Sequence, residues 1–191
     1  MLKDLIVSKV RVKLLTIFFS APGQIIHVRE LVRQTGEEIN AVRRELAHLE
    51  KIGLVSKEQR ANRLYYSVRK DYPLYFDLLE LVTKTGNLGG EILKNKNKLG
   101  RVKFAMLSGR FARNLPGTAE MVDLLIVGDL VVPEIAALVR AEELKKNREI
   151  YFTPMTYDEF VYRQKKRDPF LLSILEGSRI MVIGDEEELV R

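Results

Sequence analysis

Cysteine is absent from the 191 residues, and histidine is nearly so, with only His27 and His48. The first absence excludes disulfides, thiolate catalysis and cysteine-ligated zinc. The second, with an expected helix between the two rings, leaves no histidine-rich metal site. No apolar run approaches the roughly twenty residues of a membrane span. Leu14 to Ala21 follows a basic stretch, as the core of a signal peptide would, but it is short. Asp4, Lys9, Arg11 and Lys13 interleave with apolar residues at helical period, so the first twenty residues read as one amphipathic helix and the chain as cytoplasmic. Negative charge is also in short supply: 26 acidic residues face 32 Lys and Arg, for a net +6. The excess sits in front, with fifteen basic and ten acidic residues over 1–86 (+5) against seventeen and sixteen over 87–191 (+1). A basic front half beside a near-neutral back half is the electrostatic footprint of a nucleic-acid-binding module. With 46% hydrophobic residues the chain has material for two cores.

Val28, Leu31 and Val32 share one face at the i, i+3, i+4 spacing, and Gly36 supplies a left-handed stop, which predicts a short helix. A second helix is expected over 38–52. Ile39, Val42, Leu46, Leu49 and Ile52 form its apolar seam, Gly53 ends it, and Asn40, Arg43, Arg44, Ala47 and Lys51 lie opposite. That outer face suits a major groove: Arg for guanine edges, Asn for adenine, and a short side chain for close approach. Leu54 to Glu58 and Arg63 to Val68 then read as two strands joined by Gln59-Arg60-Ala61-Asn62, a polar turn whose tip is basic.

The run Arg29-Glu30-Leu31-Val32, then Glu37-Glu38-Ile39, Ala41-Val42-Arg43-Arg44-Glu45-Leu46, Leu49-Glu50 and Gly53-Leu54-Val55, with Asn62-Arg63 and Tyr65-Tyr66 in the hairpin, resembles the winged helix-turn-helix of ArsR-like transcriptional regulators over roughly residues 1–85. The resemblance implies a sequence-specific regulator acting on double-stranded DNA as a homodimer. Its contacts would come from Asn40, Arg43, Arg44 and Lys51 on the recognition helix and from Lys57, Arg60, Asn62 and Arg63 in the wing. A winged domain used for protein contacts is the alternative. Flanking helices commonly form the dimer interface of such domains, so Leu5, Leu14, Ile17, Phe18, Leu78 and Leu81 are expected either between subunits or in the monomer core. His27, just before the first helix, reads as a local cap or partial core residue.

A linker helix over 72–82, opened by Pro73 and carrying Leu74, Leu78, Leu81 and Val82, stops near Gly86. Asn87-Leu88-Gly89-Gly90 reads as the most flexible point, followed by a helix over 91–99, and the boundary between two domains, 1–86 and 87–191, is placed there. Beyond it an α/β unit is expected, with strands at 102–107, 122–127, 149–153 and 179–183 and helices at 133–146, 156–165 and 169–176. The fold class is therefore α+β, a helix-turn-helix unit followed by a small α/β domain. Tyr151, Phe152, Tyr157, Phe160, Tyr162 and Phe170 read as its core and rim, Arg163 to Arg167 as a solvated helix end, and Asp185 to Glu188 as a solubilising terminus or as a partner for a basic neighbour.

The first strand, Ser108-Gly109-Arg110-Phe111-Ala112-Arg113, and Val122-Asp123-Leu124-Leu125-Ile126-Val127 together resemble the minimal nucleotidyltransferase domain of the polymerase-β superfamily, from about residue 100 to Glu186. In that family a Gly-Ser-x-Ala-Arg-Gly turn receives the triphosphate, and Asp-x-Asp on the next strand holds magnesium. Here Arg110 replaces the serine, Asn114 the glycine, and Met121 one aspartate. Alternation places Met121 and Asp123 on one face and Glu120 on the other, and the third expected carboxylate is offered only by Glu149. A thioether is a poor ligand for a hard cation. The expectation is a retained fold with no catalysis, no metal and no cofactor, in which Gly109, Arg110 and Asp123 form an anion site for a nucleotide or other small effector, or in which the domain serves structure or dimerisation. An active nucleotidyltransferase targeted by the front domain is the competing reading.

Overall fold

The computed structural model describes residues 2–118 and 121–191; Glu120, expected to face away from the pocket, lies outside the described residues, as does the side chain of Asp4. The chain is α+β and divides into two compact units, Met1–Val82 and Thr83–Arg191.

The first unit opens not with one helix but with two, α1 (Leu2–Leu5) and α2 (Lys9–Ser20). The break falls at Ser8, whose hydroxyl caps α2 by accepting from the Arg11 amide at 3.2 Å, so the chain restarts its helix at a capping residue. A two-residue strand β1 (Ile26–His27) precedes α3 (Val28–Thr35), and Gly36 ends that helix at φ 62 with its amide on Val32 O. Then come α4 (Ile39–Lys51) and a hairpin of β2 (Val55–Arg60) and β3 (Arg63–Val68). The strands run further than the sequence suggests, Arg60 pairing with Arg63, and the turn shrinks to Ala61-Asn62. Ala61 takes φ 52, a left-handed conformation unusual for alanine. The sheet order is β1-β3-β2.

The core of this unit gathers Leu14, Leu15, Phe18 and Phe19 from α2 with Leu31, Val42, Leu46 and Leu49, all essentially sealed. Leu14 and Phe18 therefore belong to the monomer core and not to a subunit interface, whereas Leu5 is largely exposed. Two polar ties set the helices against one another. Glu45, buried on α4, accepts from Ser8 Oγ at 2.8 Å and Arg11 Nε at 2.9 Å, and Lys13 bridges Thr35 O and Glu37. Burial pushes the Glu45 carboxyl up, but the hydrogen bonds from Ser8 and Arg11 outweigh it and hold it below the ordinary glutamate value of 4.5. A carboxyl depressed in the folded state binds fewer protons there than in the unfolded chain. Its contribution is thus fully present above the unfolded pKa and lost as pH falls through the folded one. Glu45→Gln is accordingly expected to lower the melting temperature at pH 7 and to converge on the wild type in strongly acidic buffer. A deficit that is the same at every pH would show that packing, not the charge, sets the cost.

Helix α5 (Tyr75–Thr85) begins two residues after Pro73; of the expected Leu74, Leu78, Leu81 and Val82 it buries Val82, joined by Tyr75 and Leu79, while Leu78 and Leu81 are half-buried and Leu74 is exposed. Tyr75 packs on Phe19 with ring centroids 5.4 Å apart, which anchors the start of the helix. The division between the units falls inside α5, a few residues before the expected point. Asn87 to Gly90, expected to be flexible, instead opens α6 (Asn87–Lys94), followed by a single 3-10 turn over Lys96–Lys98. Gly89 is required there by contact and not by mobility: a Cβ would lie 2.2 Å from Thr83 O.

In the second unit β4 (Gly100–Ser108), α7 (Gly109–Ala112), β5 (Leu124–Leu130), α8 (Val132–Lys146), β6 (Phe152–Met155), α9 (Tyr157–Lys165), α10 (Pro169–Glu176), β7 (Arg179–Ile183) and α11 (Glu186–Val190) follow in order. The mixed sheet runs β6-β5-β4-β7, with β5 and β6 parallel and the other pairs antiparallel. Alternation assigns its two faces. Ala105, Leu107, Leu124 and Ile126 pack with Leu88, Ile92, Ile135 and Val139, while Phe104, Met106, Leu125 and Val127 pack with Phe160, Leu171, Ile174 and Leu189. Burial on both faces explains why β5 is apolar from Leu124 to Val127, before Gly128 and the exposed Asp129. Of the two readings of the acidic terminus, the structure shows the paired one. Asp185 caps α11, Lys103 and Arg179 pair with Glu188 and Glu186, and Leu189 is sealed in the core.

Candidate nucleic-acid interface and the Asp123 cluster

Helix α4 turns Val42, Leu46 and Leu49 inward, which leaves Asn40, Arg43, Arg44, Ala47 and Lys51 exposed along one side. Glu38 caps the helix, accepting from the Asn40 amide at 2.7 Å. The start of α3, the first turns of α4 and the end of the hairpin surround a cleft of about 490 Å³ lined by His27, Arg29, Arg43, Asn62 and Arg63, with Val28, Ile39 and Leu64 as its apolar floor. No acidic side chain lines it, and among the described residues Arg29, Arg43, Arg44 and Arg63 have no ion pair. The cleft exists because β1 pairs with β3, His27 opposite Tyr65, and this pairing carries Arg29 toward Arg63. The rings of His27 and Tyr65 lie 5.3 Å apart, so His27 is a packing residue; it makes no side-chain cap for α3.

The other expected contacts lie outside this cleft. Asn40, Arg44 and Lys51 share the α4 face. Lys57 sits 3.9 Å from Glu50. Arg60 is committed to its own strand: its guanidinium forks onto both Glu58 oxygens at 2.7 and 3.0 Å and covers the Tyr65 ring. That hydrogen bonding holds the Glu58 carboxyl below its ordinary value. Arg29 was not among the expected contacts; its identity and exposure were plain, but its convergence on Arg63 depends on a strand of only two residues.

In the second unit the residues expected to form an anion site meet, but on one another. Asp123 is 1% exposed. One oxygen accepts from Arg110 Nη2 at 3.3 Å and lies 3.6 Å from Arg148 Nη2, and the other accepts from the Tyr151 amide at 3.2 Å. Arg110 also donates to Pro116 O at 2.8 Å, and Arg148 to Leu115 O at 2.7 Å. Arg110 is therefore spent on a carboxylate and a carbonyl, where an open anion grip was expected; Arg148 gives Nη1 to a carbonyl and stands beside the same carboxylate, its Nε and Nη2 buried without a hydrogen-bond partner among the described residues. The Gly109 turn is closed as well. Its amide donates to Ser178 O at 2.6 Å, and a Cβ at Gly109 would strike Ser178 Oγ at 2.2 Å. Ser108 Oγ caps Phe111 N, and Arg113 holds Gly109 O and Ser178 Oγ.

Met121 and Asp123 do not share a face. The strand begins at Leu124, so alternation does not reach back to them, and Met121 is 45% exposed while Asp123 is sealed. Glu149 lies before β6, exposed, and accepts from the Tyr151 hydroxyl at 2.7 Å, which raises that phenol's pKa. Among the described residues no group of three or more His, Asp or Glu could hold a metal ion, and no helix is long and apolar enough to cross a membrane. Of the expected core-and-rim aromatics Phe160 is buried, whereas Tyr157, Tyr162 and Phe170 stand at the surface. No protein-family model matches the chain, and no curated protein or solved structure matches it significantly.

Proposed function

We propose that the chain is a sequence-specific regulator that binds double-stranded DNA through residues 1–82, a winged helix-turn-helix of the ArsR-like kind, acting in the cytoplasm as a homodimer. The observation that carries the reading is the acid-free cleft in which Arg29, Arg43 and Arg63 converge, beside an α4 face bearing Asn40, Arg44 and Lys51. Arginines without protein counter-ions, drawn from two helices and a hairpin, form a surface that a phosphate backbone and adjoining base edges complement. In this reading α4 enters the major groove and the hairpin lies along its flank.

The second unit is, in the same proposal, a nucleotidyltransferase-like fold that has lost transfer chemistry. Asp123 supports this: two metal ions need carboxylates that face a cavity, and this one is enclosed by two guanidiniums.

The test is a titration of labelled duplex fragments at several salt concentrations. Each neutralised phosphate contributes about −0.9 to the slope of log K against log salt, so a slope of several units with a two-fold symmetric footprint is expected. Negligible affinity for every duplex even at low salt would leave the protein-contact reading of the same fold.

A further inference from the structure

Strand β6 forms one edge of the four-stranded sheet, and the backbone beside its start is unusually well defined chemically. Tyr151 turns its carbonyl to β5, accepting from the Asp123 amide at 2.7 Å and the Leu124 amide at 3.2 Å, and its own amide points the same way, to Asp123. In a parallel ladder a residue that turns both groups to its neighbour alternates with one that turns both away. The pairing of Leu124 with Phe152 makes Phe152 the outward residue. Its N–H and C=O have no partner among the described residues. Two positions on, Pro154 is also outward and has no N–H to offer, as proline on an edge strand requires. The free edge is thus the Phe152 donor and acceptor, side by side, with only the Pro154 carbonyl beyond them, and an added peptide strand would find its next donor missing.

Phe152 also lines a pocket of about 380 Å³, together with Met121, Tyr151, Thr153 and Phe170. Met121 and Phe170 are exposed large apolar side chains, and the thioether and rings supply flat, polarisable surfaces. The volume lies in the range of small-molecule sites. Among the described residues no cation lines the pocket, the nearby Gly109 amide and Arg110 guanidinium are already engaged, and Arg148, with Nη1 on Leu115 O, keeps its Nε and Nη2 buried away from solvent.

We propose that this pocket binds an uncharged planar heterocycle that carries a hydrogen-bond donor and acceptor side by side on one edge, of the nucleobase kind, held by the Phe152 backbone and covered by Met121 and Phe170. The ligand is recognised by its ring and not by phosphate. The inference is independent of DNA binding by the first unit.

Adenine methylated at N9, whose amino group sits beside a ring nitrogen, is the direct probe, and purine likewise methylated at N9, which lacks the amino group and has no ring N–H, is its control. In an amide NMR titration of the isotope-labelled full chain, the methylated adenine is expected to shift the Phe152 and Thr153 amides saturably and to move the Met121 methyl. The methylated purine should bind at least tenfold more weakly, and ATP no more tightly than adenosine. Phe170→Ala, a change at a partly exposed position, should weaken the methylated adenine several-fold. Phe152→Pro, which removes the donor at an outward position, should abolish the response while the spectrum of the rest of the chain persists. If Phe152→Pro does not fold, the purine comparison and Phe170→Ala decide. An unmoved Phe152 amide at saturating methylated adenine, equal binding of the methylated purine, or unchanged affinity in Phe170→Ala would overturn the proposal, and much tighter binding of ATP would overturn the absence of a phosphate seat.

Discussion

Arg43→Ala and Arg63→Ala are each expected to weaken binding to duplex DNA by about 1–3 kcal/mol if the side chain reaches a base edge, and Arg29→Ala to reduce the salt slope by about one unit if it reaches a phosphate. The reason lies in what these side chains do without DNA. They are exposed and make no ion pair in the protein, so their removal costs the fold little, within about ±0.5 kcal/mol. Melting temperature should therefore stay constant while affinity falls, a separation that a structural role would not produce. Arg60→Ala is the informative neighbour. Its guanidinium is already paired with Glu58 and laid on Tyr65, so it must leave those contacts to meet a phosphate, and its loss should cost less than that of Arg63, which faces it across the hairpin. Lys165→Ala with Lys166→Ala, in the second unit, should leave affinity unchanged. Wild-type binding by the Arg29, Arg43 and Arg63 triple variant would remove the cleft from the interface.

The second large effect is expected at Asp123. Removing one member of a buried charge cluster costs about 3–5 kcal/mol, because the remaining charges are left uncompensated. Asp123→Ala would leave Arg110 and Arg148 as like charges around an empty carboxylate position, and the Tyr151 amide without its acceptor. Asp123→Asn should cost less, since an amide oxygen can still accept from Tyr151. Urea unfolding of the full chain reads both. Magnesium is the discriminating addition: an ion that binds only the folded state raises stability by mass action, and the guanidiniums around Asp123 predict no such rise. If millimolar magnesium stabilises the wild type but not Asp123→Ala, the cluster is a metal site after all and the transferase reading returns. Label transfer from nucleoside triphosphates should likewise be absent in the wild type. The double change Met121→Asp with Arg110→Ser should not restore it, because residue 121 stands exposed outside β5 and Arg148 remains beside Asp123.

Helix α4 could be read from the sequence almost to the residue, because its apolar seam and its polar side leave only one phase. Helix α5 could not be phased. The series Leu74, Leu78, Leu81 and Val82 is as apolar as Tyr75, Leu79 and Val82; the two share Val82, and Tyr75 is buried by a ring on α2 that local periodicity does not see. Strand β5 was legible as an apolar run, but its start was placed two residues early, and that error put Met121 and Asp123 on the same face. The Asp123 cluster was legible in part. The motif drew attention to Arg110 and Asp123, whereas Arg148, 25 residues further on, has no local pattern to mark it and is recruited only when α8 returns the chain to β6. Beta strand β1 is too short to announce itself, yet it aligns Arg29 with the hairpin.

The close approach of Gly89 and Gly90 to the Thr83 and Thr85 carbonyls bears on how the gene can be cut. A fragment beginning at residue 87, where the glycine pair invites a truncation, would start α6 without the backbone that its glycines pack against, while Leu88 and Ile92 still need burial. One ending at residue 82 would stop in the middle of α5. A back-half fragment that keeps residues 83–86, and a front-half fragment that runs through Thr85, would leave each of these helices its neighbours. The overlapping three residues belong in both.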